Sequence, residues 1–289
     1  GQTIHVGDTD YRFGIESVSK VHTAILALRQ YGAKEILDKI GADATGLPFN
    51  SIIAILLEND HPSTPLVNAG AISACSMVQP IGDSAKKWDA IVGNVTDLCG
   101  SAPQLIDELY KSESDTNFNN RSIAWLLKNY NRIYDDPDMS LDLYTRQCSL
   151  GVTALQLSIA AGTIANGGVN PVTKKEVFDA VLAPKITAMI AAVGFYGNRL
   201  PTVAVDVVDV EGIDVGSFSL SSVWVAVVIR VYLPPEVVCY AGIYIGGVER
   251  LASHVVVSQL GGTDGDAISR FPSVVFACGV GRHACGSGY

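Results

Sequence analysis

No Cys-x-x-Cys pair and no His-x-x-His or His-x-x-x-His ladder occurs among the 289 residues. The six cysteines, Cys75, Cys99, Cys148, Cys239, Cys278 and Cys285, stand at irregular intervals. That pattern excludes a zinc ribbon and a compact disulfide framework, and it points to reduced, mostly buried thiols. The five histidines would have to be gathered from remote positions to ligate a metal, so no metal site is expected. Long apolar runs are missing too. The longest, such as Val223–Ile229 and Ala188–Tyr196, fall far short of the roughly 20 residues that span a bilayer. Basic charge is scarce: 20 Lys and Arg stand against 29 Asp and Glu, a net charge of −9. Nucleic-acid affinity rests on clustered Lys and Arg, so a nucleic-acid partner is excluded and a small molecule is favoured. The first residues, Gly-Gln-Thr-Ile-His-Val-Gly-Asp, lack a basic n-region, an apolar h-region and an initiator Met. The expectation is a cytoplasmic protein whose chain begins inside a fold.

What is present is an interior-rich composition, 48% apolar and 17% charged, long enough for one large domain or two intimately packed lobes. Residues 1–15 suggest a strand at Thr3–Val6, a turn at Gly7–Asp10 and a short strand entering Ser17. From Val18, apolar positions Val21, Ile25 and Leu28 recur at helical spacing, with Gly32 as a stop. Helical patterns dominate from Lys34 to Leu182, including Ser122–Lys128 and Ala154–Ala165. After Tyr196 the texture changes to β-branched runs, Val203–Val210 and Val223–Tyr232. The expected architecture is a single catalytic domain over 1–289, with a sheet lobe of about 1–30 and 183–289 and a helical lobe of about 31–182. No internal repeat is visible.

Ser17-Val18-Ser19-Lys20 stands where strand hands over to helix. Three residues apart on a first helical turn, hydroxyl and amine share a face, so a neutral Lys20 can take the proton as Ser17 attacks a carbonyl. The unpaired N–H groups and positive dipole of the helix start favour the resulting oxyanion. An ordinary N-cap beside a solvated lysine fits the same four residues. Ser84-Ala85-Lys86-Lys87 matches the pattern as well.

Around that motif the chain carries Thr45-Gly46-Leu47-Pro48-Phe49-Asn50-Ser51, Pro65-Leu66-Val67-Asn68-Ala69-Gly70-Ala71-Ile72, Asn120-Arg121-Ser122-Ile123-Ala124-Trp125-Leu126, Tyr144-Thr145-Arg146-Gln147-Cys148-Ser149 and Ala165-Asn166-Gly167-Gly168-Val169-Asn170-Pro171. In that order and spacing, the segments from residue 2 to residue 197 resemble the serine-dependent glutaminase family. The resemblance implies an α+β, β-lactamase-like fold: a mainly antiparallel sheet flanked by helices, with a large helical lobe. It also implies L-glutamine as substrate, no metal or organic cofactor, a homo-oligomer (dimer or tetramer), and an N-terminal family segment absent from this chain. It makes Ser17 the nucleophile, Lys20 its base and Tyr144 a third catalytic group. Asn68, Glu113, Asn120, Tyr144, Tyr196 and Asp214, with Ser17, would bind substrate. Taken alone, Asn68 suits a helix or turn cap, Glu113 a surface charge and each tyrosine an amphipathic core position. Glu113 and Asn120, seven residues apart, would share a face of one helix.

The last third departs from the family. Where members carry Lys-Ser-Gly-Val, this chain has Glu211-Gly212-Ile213-Asp214, which puts Asp214, or Ile213 after a one-residue shift, at the backbone position that closes the oxyanion hole. A carboxylate at residue 211 would raise the pKa of Lys20. Divergence and a shifted reading frame both account for the change. Two rival readings of function remain: another S-x-x-K amidase of the penicillin-recognising group, and a non-catalytic glutamine- or glutamate-binding homologue.

Overall fold

A computed structural model of the chain describes residues 3, 8–43, 46–193, 204–207, 227–232, 238–244 and 254–259. Strand β1 (Phe13–Gly14) leads through a 3-10 turn at Glu16–Val18 into α1 (Ser19–Lys39). Gly32 interrupts α1 with φ 82°, a left-handed value that glycine tolerates and other residues rarely adopt, so the expected stop is a kink. There follow α2 (Ile52–Leu57), α3 (Asn68–Met77), α4 (Ser84–Cys99), β2 (Gln104–Leu105), α5 (Asp107–Thr116), α6 (Phe118–Asn129), α7 (Pro137–Cys148), β3 (Leu150–Val152), α8 (Ala154–Ala165) and α9 (Ala183–Val193). Strands β4 (Ala204–Val207), β5 (Val227–Tyr232), β6 (Val238–Tyr244) and β7 (His254–Gln259) form an antiparallel four-stranded sheet in sequence order. The protein is thus α+β, with its described helices concentrated between residues 19 and 193.

Local chemistry sets the helix ends. Thr153 caps α8 in a reciprocal box: its hydroxyl accepts the Gln156 N–H at 3.2 Å, and the Gln156 side chain accepts the Thr153 N–H at 2.9 Å. Asp136 accepts the Met139 N–H at 2.8 Å ahead of α7, with Pro137 in the first turn. Every residue of α3 is buried, as a helix apolar on all sides requires. It is packed by α1, α6 and α7. Gly70 permits this seat, because a Cβ there would lie 1.8 Å from the carbonyl oxygen of Thr64.

The apolar interior has two halves. One gathers Ile25, Leu28, Leu98, Val152, Leu157 and Ile186. The other gathers Leu26, Ile72, Ile123, Leu127, Leu141 and Leu143. Helix α1 contributes to both and is held from two sides just beyond Lys20.

β1 pairs with β3 in the middle of the chain, Phe13 opposite Val152 and Gly14 opposite Gly151, and β2 completes this second antiparallel sheet. Pairs of two residues are too short to leave an alternating pattern. All of the expected Thr3–Val6 strand except Thr3 lies outside the described residues, as do Tyr196, Asp214 and the Glu211–Gly212 pair. Among the described residues no helix is long and apolar enough to cross a membrane. Cys75, Cys99 and Cys148 are buried free thiols.

Candidate active site

Ser17 lies inside the 3-10 turn, two residues before α1 begins, and not on the helix itself. The preceding Glu16 has φ 50°, a left-handed backbone that a side chain makes costly and that marks functional turns. Three bonds hold this conformation. The Ile15 N–H donates to Leu150 O at 2.7 Å, the Val18 N–H donates to Ile15 O at 3.3 Å, and the Ser19 hydroxyl donates to Glu16 O at 2.6 Å. The turn therefore presents Ser17 to solvent while Ser19 and Lys20 turn inward.

Lys20 is only 2% exposed, and its Nζ lies 2.5 Å from Ser17 Oγ. As an ammonium it donates to that oxygen; as a neutral amine it accepts the serine proton. Its surroundings favour the neutral form. The rings of Tyr144 and Phe49 stand 5.5 and 5.9 Å from Nζ. Burial holds the amine below the ordinary lysine range, against the opposing pull of the Glu16 and Glu113 carboxyl groups. The Glu16 carboxyl is lifted to about 7, chiefly by burial and then by Glu113, with Lys20 working the other way.

Asn68 opens α3 but does not cap it with its side chain. Its Nδ2 donates to Asn120 Oδ1 on α6 at 2.9 Å, and its Oδ1 accepts the Tyr144 hydroxyl of α7 at 3.1 Å. One buried amide thus joins three helices. Burial, with Cys148 beside it, pushes the Tyr144 phenol well above its usual value, so the hydroxyl is a donor at neutral pH.

Glu113 and Asn120 do not share one helix. α5 and α6 meet at Asn117, where α5, with no buried residue, gives way to α6, which turns Ile123, Ala124 and Leu127 into the interior. The different burial of the two segments explains the break. Glu113 reaches the site by another route. Gly14 lets Leu109 of α5 close on β1, since a Cβ on Gly14 would lie 2.4 Å from the Leu109 side chain. Glu113, one turn after Leu109, projects on the same face, toward Glu16.

The structure thus brings together Ser17, Lys20, Asn68, Glu113, Asn120 and Tyr144. The spare motif resolves otherwise: Lys87 donates to Ser76 O at 2.9 Å and pairs with Asp135. Sequence reasoning missed Glu16, Ser19 and Cys148. Only the four-residue interval between Tyr144 and Cys148 hinted at a shared helical face. Among the described residues no group of three His, Cys, Asp or Glu side chains could hold a metal ion.

A serine turn backed by a buried lysine three residues on, with an asparagine–tyrosine bridge beside it, defines an α+β protein built around a serine–lysine pair. The family model named Glutaminase matches residues 1–200. The chain belongs to the glutaminase family. It is 98% identical over 196 residues to a glutaminase of Bacteroides thetaiotaomicron, a match covering 68% of this chain and 61% of that protein. The chain therefore spans about three fifths of that relative's length. The solved structure of the probable glutaminase ybaS aligns with TM-score 0.65 and 46% identity, over 66% of this chain and 62% of the other. The Bacillus subtilis glutaminase YbgJ, solved as a covalent complex with 5-oxo-L-norleucine formed from 6-diazo-5-oxo-L-norleucine, aligns with TM-score 0.58 and 25% identity. That alignment covers 67% of this chain and 61% of YbgJ.

Proposed function

We propose that the protein hydrolyses the side-chain amide of L-glutamine to L-glutamate and ammonia through a serine acyl-enzyme. The observation that carries this reading is the 2.5 Å approach of Lys20 Nζ to Ser17 Oγ by an amine that burial keeps below its ordinary pKa. The neutral amine takes the Ser17 proton as the oxygen attacks the γ-amide carbon, and the nitrogen of the collapsing intermediate takes a proton back and leaves as ammonia. Water then attacks the γ-glutamyl ester, and Ser17 regains its proton. Tyr144, neutral and donating, supports the departing nitrogen and holds the Asn68 amide in place.

Asn68, Asn120 and Glu113 suit a free amino acid, because amide donors meet an α-carboxylate and a carboxylate meets an α-ammonium. The Ser17 N–H supplies one oxyanion donor; the second falls to the backbone near Asp214, with Tyr196 a further substrate contact. A covalent adduct in the relative YbgJ is in keeping with a nucleophilic residue at this site. The resemblance adds a cytoplasmic homo-oligomer.

The test is ammonia release by the full chain from L-glutamine, with Ser17→Ala as control and L-asparagine and penicillin as alternative substrates. Release from glutamine alone, lost in Ser17→Ala, is expected. Equal silence of both proteins sinks the enzyme reading. Glutamine binding without turnover supports instead a binding homologue, which Glu211-Gly212 in place of the family's Lys-Ser favours.

A further inference from the structure

Cys148 has no part in the acyl-transfer scheme, yet it is buried beside the turn that carries Ser17. It ends α7, one turn after Tyr144, and only 6% of it is exposed. Its sulfur lies 3.5 Å from the Ser19 hydroxyl, which itself donates to the carbonyl oxygen of left-handed Glu16 at 2.6 Å. Tyr144, one turn earlier on the same helix, donates its hydroxyl to Asn68 Oδ1 at 3.1 Å. As a thiolate, the Cys148 sulfur would act on the Lys20 amine more strongly than Glu16, Cys75 or Glu113.

We infer that Cys148 is a positioning residue: through Ser19 it ties the turn carrying Ser17 to the helix carrying Tyr144, and its uncharged sulfur closes the space behind the Lys20 amine. The inference rests on the reading that Lys20 is the base for Ser17.

The physical case has two parts. Ser17 is exposed and stands on a strained turn, and the Ser19 hydroxyl on Glu16 O is the side-chain brace of that turn. Cys148 fixes where that hydroxyl can sit. The second part is charge. Lys20 faces Glu16 from its own turn, Glu113 from α5, Cys75 from α3, and Tyr144 and Cys148 from α7. A further negative charge behind the amine would hold it protonated. Burial pushes the Cys148 thiol up, against the lowering influence of Lys20, Ser19 and Tyr144, so it stays neutral.

The test reads Lys20 directly. In the full chain with 13Cε-labelled lysine, the Lys20 resonance, assigned through Lys20→Arg, is titrated in wild type, Cys148→Ser, Cys148→Ala and Cys148→Asp. The rate of covalent labelling by 6-diazo-5-oxo-L-norleucine is measured beside it. Wild type and Cys148→Ser are expected to share one midpoint, below the ordinary lysine value. Cys148→Asp moves it upward. Cys148→Ala, which admits water behind the amine, moves it upward by less, and it slows labelling at saturation about tenfold or more without changing the half-saturating concentration. Should the Asp protein not fold, the Ala and Ser proteins decide the matter. The inference is overturned if Ala and Ser both match wild type in midpoint and labelling rate, or if Asp leaves the midpoint in place. The two readings fail separately: a wild type that releases no ammonia removes the glutaminase reading, while the Lys20 midpoint still judges Cys148.

Discussion

Lys87 and Asp135 form an ion pair in which the lysine side chain is wholly out of solvent and the aspartate is 9% exposed. The lysine also donates to Ser76 O, and the carboxylate accepts the N–H groups of Gly82 and Asp136, each at 2.8 Å. This network links α3, the start of α4 and the entrance to α7. Burial raises the Asp135 carboxyl, but these donors outweigh it and the net shift is downward. A depressed carboxyl contributes stability that is present above its unfolded pKa and lost as pH falls through the folded value. Asp135→Asn is expected to cost about 3–5 kcal/mol, because it leaves a buried ammonium without its counter-charge. Lys87→Met combined with Asp135→Leu should recover most of that loss in urea unfolding at neutral pH. A single mutant as stable as wild type would contradict this account.

His22 gives the second pH effect. It is buried, its Nδ1 has no partner among the described residues, and burial lowers its pKa from 6.5 to about 4. The unfolded chain therefore takes up a proton between those values and the folded protein does not. Stability is full above 6.5 and declines as pH falls toward 4, by roughly 3 kcal/mol over the window. Thermal unfolding measured from pH 7 to 4 should show the decline, and His22→Phe should flatten it.

Under the proposed mechanism Lys20 illustrates the cost of a poised base. Its folded pKa is lowered, so the folded state resists the protonation that the unfolded chain accepts, and stability rises with pH from the folded value up to the ordinary lysine range. Lys20→Met is expected to raise stability by about 1 kcal/mol or more at pH 7 while abolishing turnover. A melting temperature equal to or below wild type would show that the buried amine is not strained.

The end of the family match supports a prediction about the gene. Identity of 98% over 196 residues does not fade through gradual divergence, and the family model stops at residue 200. A single-nucleotide insertion or deletion near that codon would produce so sharp a boundary, and divergence confined to the last third is the competing explanation. Sequencing the gene across it and translating onward in the other two frames is expected to reveal a Lys-Ser-Gly-Val segment. Its absence from all frames would establish true divergence.

Much of the site was legible because S-x-x-K is a local signal: three residues fix which side chains meet, whatever the rest of the chain does. The helix at Ala154–Ala165 was legible for the same reason, its Thr153 and Gln156 forming a cap from within four residues. What lay hidden depends on partners distant in sequence. Asn68 suits a cap until α6 and α7 bring Asn120 and Tyr144 against it. The break at Asn117 follows from two segments burying different amounts of surface, and the turn at left-handed Glu16 is anchored by the hydrogen bond of the Ile15 N–H to Leu150 O. Lys87 gives no local sign that it is buried, since lysine is normally exposed and Asp135 lies 48 residues away.

The pairing of β1 with β3 closes residues 13–152 into a single chain loop. Every site residue placed here lies inside it, from Ser17 to Tyr144. The closure uses only residues already synthesised when β3 leaves the ribosome, well before the strands at 204–259 exist. A chain that folds from its N-terminal side can therefore bring Ser17, Lys20, Asn68 and Tyr144 together while translation is still under way, before the later strands are added.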